Sequence, residues 1–440
     1  MNNNVKIKNI TRTVQKENIT SMQEVNTDIC VVGAGISGVS AALEAARLGR
    51  DVTLIDSLPA LGGQAVNSII GIFCGLFSEG SDPYQFTHGI ADDILRDLGR
   101  AGALYFRPEK HNVVMYDEVA LSRWIENAVY ENGIKLVLGA SLSGVTVEDR
   151  RIRSIEIVTR YGKLRVNASS FVDASGDAAL AWEAGLPCRE PAEGKVYGTH
   201  MFVLEGVNAD YAPASMEEVG ERLKQRAEEY GLVRKDGFAF AFPGRNTALV
   251  NMTHVETPLE PLAAAQKALE GKIQADKVFQ YLKKEYPSAF ENARIRSYGL
   301  PGIRQTRWIV GRHQLTEEEV LTGTQFSDAI ARTSWPIELH NRKNGFVWEP
   351  FSNDHVHYVP FSSLTPPDVD NLVAAGRCID GDLAALSSVR VMGPCIAMGA
   401  AAAHALDLAG TGSIHEININ ELQERLKENL FRKDTSIWKK

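Results

Sequence analysis

The sequence has few of the features that mark several protein classes. Only five of its 440 residues are cysteine, and no two of them form a CxxC pair. This excludes a small disulfide scaffold and is typical of reduced thiols in a cytoplasmic protein. No apolar run approaches the roughly 20 residues that span a bilayer, so we expect no membrane span. Lys and Arg number 47 against 55 Asp and Glu, with no basic block, which argues against a nucleic-acid partner.

A strand, glycine turn, helix and second strand begin at Asp28. The run DICVV leads into GAGISG, small residues follow at helical spacing, and DVTLID ends on Asp56. Gly33, Gly35 and Gly38 form a G-x-G-x-x-G, in which the first glycine permits a tight turn. The second lets the backbone approach a pyrophosphate, and the third lets helix and strand pack closely. The helix N-terminus offers N–H groups to the phosphates, and Asp56 is placed to bind a ribose diol. The pattern predicts a dinucleotide site; an ordinary glycine-rich βα turn is the alternative.

Later motifs favour FAD over a nicotinamide cofactor by resemblance. SLPALGGQ resembles the acid-to-double-glycine turn of flavoproteins with the glutathione-reductase-type FAD fold. VDASGDAAL resembles their ribityl-binding motif, and AAGRCIDGD resembles the late loop that reaches the flavin. With GIRQTRWIVGRHQLTEEEVLTG and HYVPFSSL, the chain from about Asp28 to about Gly410 resembles a family of FAD-dependent oxidoreductases. Its relatives include fumarate reductase/succinate dehydrogenase flavoproteins and thiazole synthases. No second G-x-G-x-x-G follows, so we expect no separate nicotinamide domain.

The resemblance implies a set of FAD contacts. Asp177 is expected to bind the ribityl hydroxyls, and a helix N-cap is a compatible alternative. Pro394 suits the first turn of a helix, and the N-terminus of that helix is expected to face the pyrimidine edge of the flavin. A plain core helix is the alternative. The predicted contacts are Gly33, Gly35, Ser37, Gly38, Asp56, Gly62, Gly63, Gln64, Asp177, Gly376, Arg377 and Pro394.

The order of these patterns predicts an α/β protein whose first domain is interrupted. Residues 28–196 and 349–412 are interpreted as a Rossmann-like FAD-binding domain with a central parallel sheet and a β-meander. Residues 197–348 are interpreted as an inserted α+β substrate domain, and residues 413–440 as a C-terminal extension. Residues 1–27 are expected to form a flexible arm, with docking on a partner subunit as the alternative.

Arginines and histidines are the candidate substrate groups. Arg304 in GLPGIRQTRW and Arg390 near the expected flavin are candidates for binding a substrate carboxylate. His340 and His355 are candidates for moving a proton. For the arginines the alternative is a structural salt bridge, and for the histidines it is a surface position or a hydrogen-bonded place in the core. His355 and His357 would share one face of a strand, but no third ligand at suitable spacing is evident, so no metal site is predicted. The catalytic prediction is Arg304, His340, His355 and Arg390.

Four further residues qualify the resemblance. Cys74 follows the double-glycine turn, where a thiol can act as a redox partner or a covalent flavin link, although packing as a small apolar residue is favoured. The family commonly has an aromatic-Arg pair where this chain has Phe361 and Ser362. A second basic residue often stands where this chain has Trp308. These departures imply a substrate that is less anionic or differently held.

The expected function is that of an FAD-dependent dehydrogenase or oxidase. A hydride would pass from a small organic substrate to the flavin, and electrons would leave to oxygen, a quinone or a carrier protein. A reductase of an activated double bond is one alternative. A flavoprotein subunit whose FAD is structural or serves a non-redox step is the other. The acidic balance argues against a nucleic-acid-modifying flavoprotein. A homo-oligomer remains open at this stage.

Overall fold

The computed structural model describes residues 22–107, 111–191, 196–212, 216–242 and 244–433. Residues 1–21, most of the predicted arm, lie outside this range. The strands of the described residues are β1 (Gln23–Val32), β2 (Val52–Asp56), β3 (Ile72–Phe73), β4 (Leu104–Arg107), β5 (Val113–Tyr116), β6 (Lys135–Leu138), β7 (Ser141–Glu148), β8 (Arg151–Thr159), β9 (Gly162–Asp173), β10 (Cys188–Arg189), β11 (Phe202–Glu205), β12 (Phe238–Phe242), β13 (Thr247–Asn251), β14 (Arg294–Tyr298), β15 (Trp308–Ile309), β16 (Ala329–Thr333), β17 (Ile337–Arg342), β18 (Gly345–Glu349), β19 (His357–Pro360) and β20 (Leu372–Ala374).

The helices of the described residues are unequal in length. Two long ones, α7 and α11, belong to the insertion and to the main domain respectively. The α-helices are α1 (Ile36–Arg47), α2 (Gly63–Asn67), α3 (Ile90–Arg100), α4 (Glu118–Glu131), α5 (Ala179–Glu183), α6 (Met216–Arg226), α7 (Pro261–Glu285), α8 (Pro287–Phe290), α9 (Glu317–Thr322), α10 (Leu383–Val389), α11 (Met392–Ala409), α12 (Ile419–Arg425) and α13 (Lys427–Phe431).

The main sheet has seven strands in the order β6-β2-β1-β9-β8-β7, with β20 also paired to β9. β6, β2, β1, β9 and β20 are mutually parallel, whereas β7, β8 and β9 form an antiparallel meander. Strand β1 pairs with β9 along most of its length, so β8 and β20 share the other edge of β9. The predicted α/β class, with a central parallel sheet and a β-meander, is confirmed.

Strand β1 begins before the predicted start of the FAD-binding domain. Gln23 to Thr27 continue the parallel ladder by pairing with Leu164 to Ala168 of β9. Side chains in this stretch are mostly exposed because it forms the outer end of the ladder. The sequence favours a flexible arm here because this stretch has no apolar core. Backbone hydrogen bonds such as those of the ladder do not depend on side-chain type, so they leave no signal in the sequence.

Helix α11 is the apolar centre of the main domain. Gly399 lies so close to α1 that a Cβ there would stand 2.2 Å from the Ser37 carbonyl oxygen. The Ser40 hydroxyl donates a hydrogen bond to the Ile396 carbonyl at 2.8 Å. Among the described residues, α11 alone is long and apolar enough to cross a bilayer, and 72% of that stretch is buried inside the molecule. Its apolar character is therefore accounted for by its position in the core.

The insertion has a hydrophobic core of its own. Its antiparallel sheet runs β12-β13-β11-β14. Helices α6, α7 and α8 pack on one face around Phe202, Leu223 and Tyr281. The opposite face packs against Ile72 and Met115 of the main domain through an apolar cluster that also contains Leu249. Side chains near this second face therefore lie where the two parts of the chain meet.

The stretch before helix α3 contains the helix-capping residue types Ser81 and Asp82. Its flanking residues, however, pair with one another through backbone hydrogen bonds. The Ser78 amide donates to the Tyr84 carbonyl at 2.9 Å, and Phe86 donates to Leu76 at 2.7 Å. The helix instead starts at Ile90.

The described part of the predicted C-terminal extension belongs to the main core. Leu422 of α12, Leu430 of α13 and Leu426 between the two helices are buried in the cluster that contains α1 and α11. The Arg332 side chain is 2% exposed and donates a hydrogen bond to the Asn429 carbonyl at 2.9 Å. Residues 434–440 lie outside the described range.

Candidate functional site

The first glycine turn combines two close contacts with one open space. Gly33 has φ +103°, and a Cβ there would lie 2.3 Å from the Ala174 carbonyl oxygen. A Cβ on Gly38 would lie 1.8 Å from the Gly33 oxygen. At Gly35, by contrast, a Cβ would meet nothing nearer than the Gly63 Cα, at 4.0 Å. Gly33 and Gly38 are therefore required for packing, whereas Gly35 borders a space between two glycine turns that a pyrophosphate can enter.

Asp56 ends β2 beside this turn. Its Oδ2 accepts a hydrogen bond from the Ala34 amide at 2.5 Å, and its Oδ1 accepts one from Leu58 at 2.7 Å. Burial raises the pKa of the carboxyl, and the two amides oppose that rise. Each oxygen keeps a lone pair for a further donor. The predicted contact with a ribose diol stays a prediction that this geometry permits.

The second glycine turn lies directly under the first. Gly62 and Gly63 both have positive φ, +89° and +49°, and a Cβ on Gly63 would lie 2.6 Å from the Gly35 Cα. The Gln64 side chain that follows donates a hydrogen bond to the Ile303 carbonyl at 2.8 Å. Glycine at these positions thus allows the two turns to lie in contact. The Gln64 hydrogen bond connects the second turn to the insertion.

The loop after β9 separates the roles of its two aspartates. The buried Asp173 carboxylate accepts hydrogen bonds from the Leu180 and Ala181 amides at 2.9 and 3.0 Å. Asp173 therefore caps α5, so the N-cap role suggested for Asp177 is filled by Asp173. The Asp177 carboxylate accepts a hydrogen bond from the Thr306 hydroxyl and is about half exposed. Asp177 is left available for a ligand hydroxyl, which agrees with the ribityl prediction without testing it.

The N-terminal turn of α11 is crossed by the chain around Cys74. The Gly393 amide donates to the Cys74 carbonyl at 3.0 Å, and a Cβ on Gly75 would lie 3.2 Å from Pro394 Cδ. Pro394 is the third residue of the helix, within its first turn as predicted. Burial raises the pKa of the Cys74 thiol well above its usual value, and its side chain packs with Phe242 against an apolar cluster. A neutral, packed thiol is a poor nucleophile.

Buried donors without partners fit a cofactor in this cleft. Within the described residues, the Ser37 hydroxyl at the start of α1 and the Arg377 Nη1 have no hydrogen-bond partner although both atoms are buried. Gly376 has φ +72°, and a Cβ there would lie 3.2 Å from the Ser37 Cβ. Buried polar atoms are rarely left unpaired in native proteins. Phosphate and flavin oxygens would supply the missing acceptors beside the open space at Gly35.

One segment of the insertion borders three parts of this cleft. The Ile303 carbonyl accepts the Gln64 hydrogen bond, and the Gln305 side chain donates to the Arg377 carbonyl at 3.2 Å. Thr306 donates to Asp177. Arg304 stands in the middle of this segment, so its neighbours on both sides are in contact with predicted FAD-binding residues. This places Arg304 at the boundary between the FAD cleft and the insertion.

Arg304 lies near two other arginines, Arg234 and Arg390. The Arg304 Nη1 donates to the Tyr197 carbonyl at 2.8 Å, and the Arg390 Nη2 donates to the Glu338 carbonyl at 3.3 Å. Arg234 is paired with Asp236, whereas neither Arg304 nor Arg390 has an ion-pair partner in the described part of the chain. Burial lowers the pKa of Arg304 well below its usual value and that of Arg390 to about 10.

His340 joins this cluster through two hydrogen bonds. Its ring has no exposed surface; its Nε2 lies 2.8 Å from Glu338 Oε1, and its Nδ1 lies 2.9 Å from His254 Nε2. Burial, followed by the charge of Arg304, holds the pKa of His340 well below its usual value. Burial and the charge of Arg234 do the same to His254. Arg304, Arg390 and His340, three of the predicted catalytic residues, thus lie in one cluster. The His340 ring has no exposed surface, so it does not itself touch a substrate.

His355 belongs to a different hydrogen-bond network. Its Nε2 lies 3.1 Å from His357 Nδ1, and the His357 Nε2 lies 2.8 Å from the Ser388 hydroxyl. Phe351 stacks on the His355 ring at 4.0 Å. The described contacts of His355 include none of the arginine cluster, so the structure supports the hydrogen-bonded core interpretation for this residue. No group of three or more metal-ligating side chains occurs among the described residues.

The buried histidines predict a loss of stability in acid. Burial lowers the pKa of His357 to about 3, whereas an unfolded histidine titrates near about 6.5. Between these values the unfolded chain binds a proton that the folded chain does not, so the free energy of unfolding falls with falling pH. A single such histidine contributes a slope of roughly 1.4 kcal/mol per pH unit. We expect His357→Gln to reduce this slope in urea unfolding followed from about pH 6.5 to about pH 4. An unchanged slope would show that His357 titrates normally in the folded protein.

Four contributing residues were missed from the sequence. Arg234 and His254 come from loops of the insertion far from Arg304 along the chain, and Asp173 lies in a motif whose other aspartate drew attention. Glu338 did carry a signal, because Glu338 and His340 stand two residues apart on β17 and so share a face of the strand. Trp308 and Phe361, at the positions that depart from the family, are buried. Their side chains pack in the main core.

The two glycine turns, the acid after β2 and the parallel sheet define a dinucleotide-binding α/β protein. The chain belongs to the FAD dependent oxidoreductase family, whose model matches residues 28–426. It is therefore an FAD-dependent enzyme, and the predicted cofactor and enzyme class are confirmed. When bound, FAD supplies the redox chemistry, and the protein supplies orientation and proton transfer. No curated protein matches the chain.

Several solved structures are similar at low identity. A geranylgeranyl bacteriochlorophyll reductase-like protein from Thermoplasma acidophilum is 12% identical, with a TM-score of 0.45 and 94% of each chain covered. A flavin-dependent brominase is 12% identical with a TM-score of 0.46, and the alignment covers 92% of this chain and 83% of that one. An anhydrotetracycline hydroxylase from Streptomyces rimosus is 11% identical with a TM-score of 0.42, covering 92% and 66%.

Proposed function

We propose that this enzyme oxidises a small organic acid by hydride transfer to FAD. The observation that carries the proposal is the pair of guanidinium groups of Arg304 and Arg390, both partly buried and without an ion-pair partner among the described residues. A buried charge is costly unless it is paired. A carboxylate is a suitable partner because arginine binds it through parallel N–H bonds.

The position of this anion site favours catalysis over simple storage of a ligand. Arg304 lies between Ile303 and Gln305, which contact Gln64 and Arg377 of the FAD cleft. Arg390 stands two residues before the start of α11, whose N-terminal turn we infer to face the flavin. A carboxylate held by the two arginines would place an adjacent carbon at this boundary. Orientation of that kind lowers the entropic part of a reaction barrier.

The insertion is accordingly inferred to be the substrate domain. Arg234, His254, Arg304 and Glu338 come from residues 197–348, whereas Arg390 comes from the FAD-binding part. The two parts meet across the apolar cluster that includes Cys74. We infer that the substrate binds between them and that 28–196 with 349–412 hold the cofactor.

The proposed reaction converts a C–H carbon bearing an O–H or N–H group to a C=O or C=N bond. The carbon loses a hydride to the cofactor, and the heteroatom loses a proton to a base among the residues around His340. Electrons then leave to oxygen, a quinone or a carrier protein. We place the enzyme in the cytoplasm, because all five cysteines are free thiols, as expected in a reducing compartment.

An anaerobic titration tests this function. The FAD-loaded protein is mixed with 2-hydroxy acids and amino acids, and each acid is paired with its methyl ester. We expect at least one acid to bleach the flavin absorbance and its ester to do so far more slowly, because the ester cannot pair with Arg304. Equal rates for acid and ester would remove the anion site from the proposal. If no donor bleaches the flavin, the chemically reduced protein is offered unsaturated acids. Reoxidation by these would reverse the proposed direction, and no reaction at all would favour a structural FAD.

A further inference from the structure

We propose that Glu338 is the acid–base group of this site and that Glu338, His340 and His254 together take up a single proton. The inference rests on the proposed function for the identity of the proton donor, but not for the behaviour of the three side chains. They form an unbroken row: Glu338 Oε1 to His340 Nε2 at 2.8 Å, and His340 Nδ1 to His254 Nε2 at 2.9 Å. The row ends with His254 Nδ1 at 3.2 Å from the Lys343 carbonyl oxygen.

Counting protons shows that this row has room for one more. Both of its ends are acceptors, the Glu338 carboxylate and the Lys343 carbonyl, so each of the three contacts needs one hydrogen. Two neutral imidazoles supply one hydrogen each. One of the three contacts therefore joins two acceptor atoms with no hydrogen between them. An added proton supplies the missing hydrogen, and the row then contains either an imidazolium or a neutral carboxyl. A second added proton would find no acceptor within the row.

Glu338 is the member of the row that can meet a substrate. Its side chain is 25% exposed, whereas His340 is 0% and His254 is 1% exposed, and all four ring nitrogens are engaged. The Trp335 indole donates to Glu338 Oε2 at 3.2 Å and holds the carboxylate in place. Each carboxylate oxygen keeps a free lone pair. His340 and His254 act through Glu338 and are positioning residues.

The charges around the row favour its unprotonated state, in which it can act as a base, before substrate binds. Arg304, Arg234 and Arg390 all lower the pKa of His340, and Arg234 and Arg304 lower that of His254. Asp236 offsets part of the charge at Arg304, and the Glu338 charge acts on both Arg304 and Arg390. On the main-domain side, the Glu338 charge acts on the neutral Cys74 thiol, and Glu79 lies near that thiol.

Anion binding should therefore promote proton uptake. A carboxylate paired with Arg304 and Arg390 would cancel much of the positive charge that excludes a proton from the row. The heteroatom proton of the bound acid then passes to Glu338 as its carbon loses a hydride to the cofactor. The row returns to its unprotonated state when that proton passes to water. Charges balance, because one hydride and one proton leave the substrate for each C=O or C=N bond formed.

Nitrogen-15 NMR of histidine-labelled, FAD-loaded enzyme tests the proton count without a substrate. His254→Asn and His340→Gln assign the two rings. We expect both rings to be neutral at neutral pH, with His340 protonated on Nε2, and to gain one proton between them as the pH is lowered. Two independent protonations, or a His340 ring protonated on Nδ1 at neutral pH, would overturn the shared-proton row.

Acetate and Glu338→Gln complete the experiment. Acetate, as the probe anion, should raise the midpoint of the shared titration by about one pH unit, in line with the effect of one nearby charge. Glu338→Gln should lower that midpoint while leaving acetate binding intact, and the exposed Glu349→Gln should change neither. A midpoint unaffected by Glu338→Gln would remove Glu338 from the row. If acetate does not bind while the rings share one proton, the anion site of the proposed function fails and the row stands.

Discussion

Replacing Gly35 with valine should give a folded protein that binds no FAD. Gly35 has φ −70° and ψ 179°, which any residue adopts, so the substitution brings no backbone strain. Its Cβ would have no protein atom nearer than 4.0 Å and would enter the space between the two glycine turns. The bulk of valine would stand where the backbone must approach the pyrophosphate. We expect complete loss of the flavin absorbance, with far-ultraviolet circular dichroism close to that of wild-type apoprotein.

Two other glycines make this experiment specific. Gly220 lies in α6 with nothing within 4 Å of its Cβ position, so Gly220→Val should keep full FAD occupancy. Gly38→Val should instead damage folding, because its Cβ would lie 1.8 Å from the Gly33 carbonyl oxygen. Wild-type FAD content in Gly35→Val would show that the pyrophosphate lies elsewhere. Release of FMN alone from the wild type would leave Asp56 without an adenosine ribose.

The FAD cleft was predictable because its signals are local. Gly33, Gly35 and Gly38 occur within six residues, and Asp56 follows at the end of the next strand. A tight turn, a close helix contact and a strand end each depend on residue types at fixed short spacing. The β-meander was predictable for the same reason, since turn residues separate three runs of alternating side chains.

The substrate side was only partly predictable because its contacts are long-range. His254 and His340 are 86 residues apart, and no periodic pattern connects β17 with the loop after β13. Arg304 and His340 could be selected by residue type, but their surroundings could not. The sequence gives no measure of burial. In the structure Glu338 is partly exposed and His340 is fully buried, so Glu338 is the residue that faces the open side. His355 has the same residue type and a nearby motif, yet its partner is His357.

Replacing Arg304 with methionine should weaken substrate binding far more than it slows the chemical step. Methionine keeps much of the side-chain length but removes the donors and the charge. A hydrogen bond to a charged group contributes about 1.5–3 kcal/mol, which corresponds to a rise in KM of about 10- to 150-fold. Loss of binding that is equal in the ground state and the transition state leaves kcat nearly unchanged. The kinetics are measured per bound flavin, with the acid identified in the anaerobic titration.

The structural alternative for Arg304 predicts a different pattern. If its main role is the hydrogen bond to the Tyr197 carbonyl, Arg304→Met should lower the melting temperature and the FAD content, with the remaining holoenzyme kinetically normal. Arg294→Met is the matched control, because Arg294 is 80% exposed and pairs with Glu205 at the edge of the inserted sheet. An exposed pair contributes little to stability, so this control should change neither KM nor flavin content. A KM for Arg304→Met equal to that of Arg294→Met would assign Arg304 to the scaffold and leave Arg390 as the remaining candidate for the substrate carboxylate.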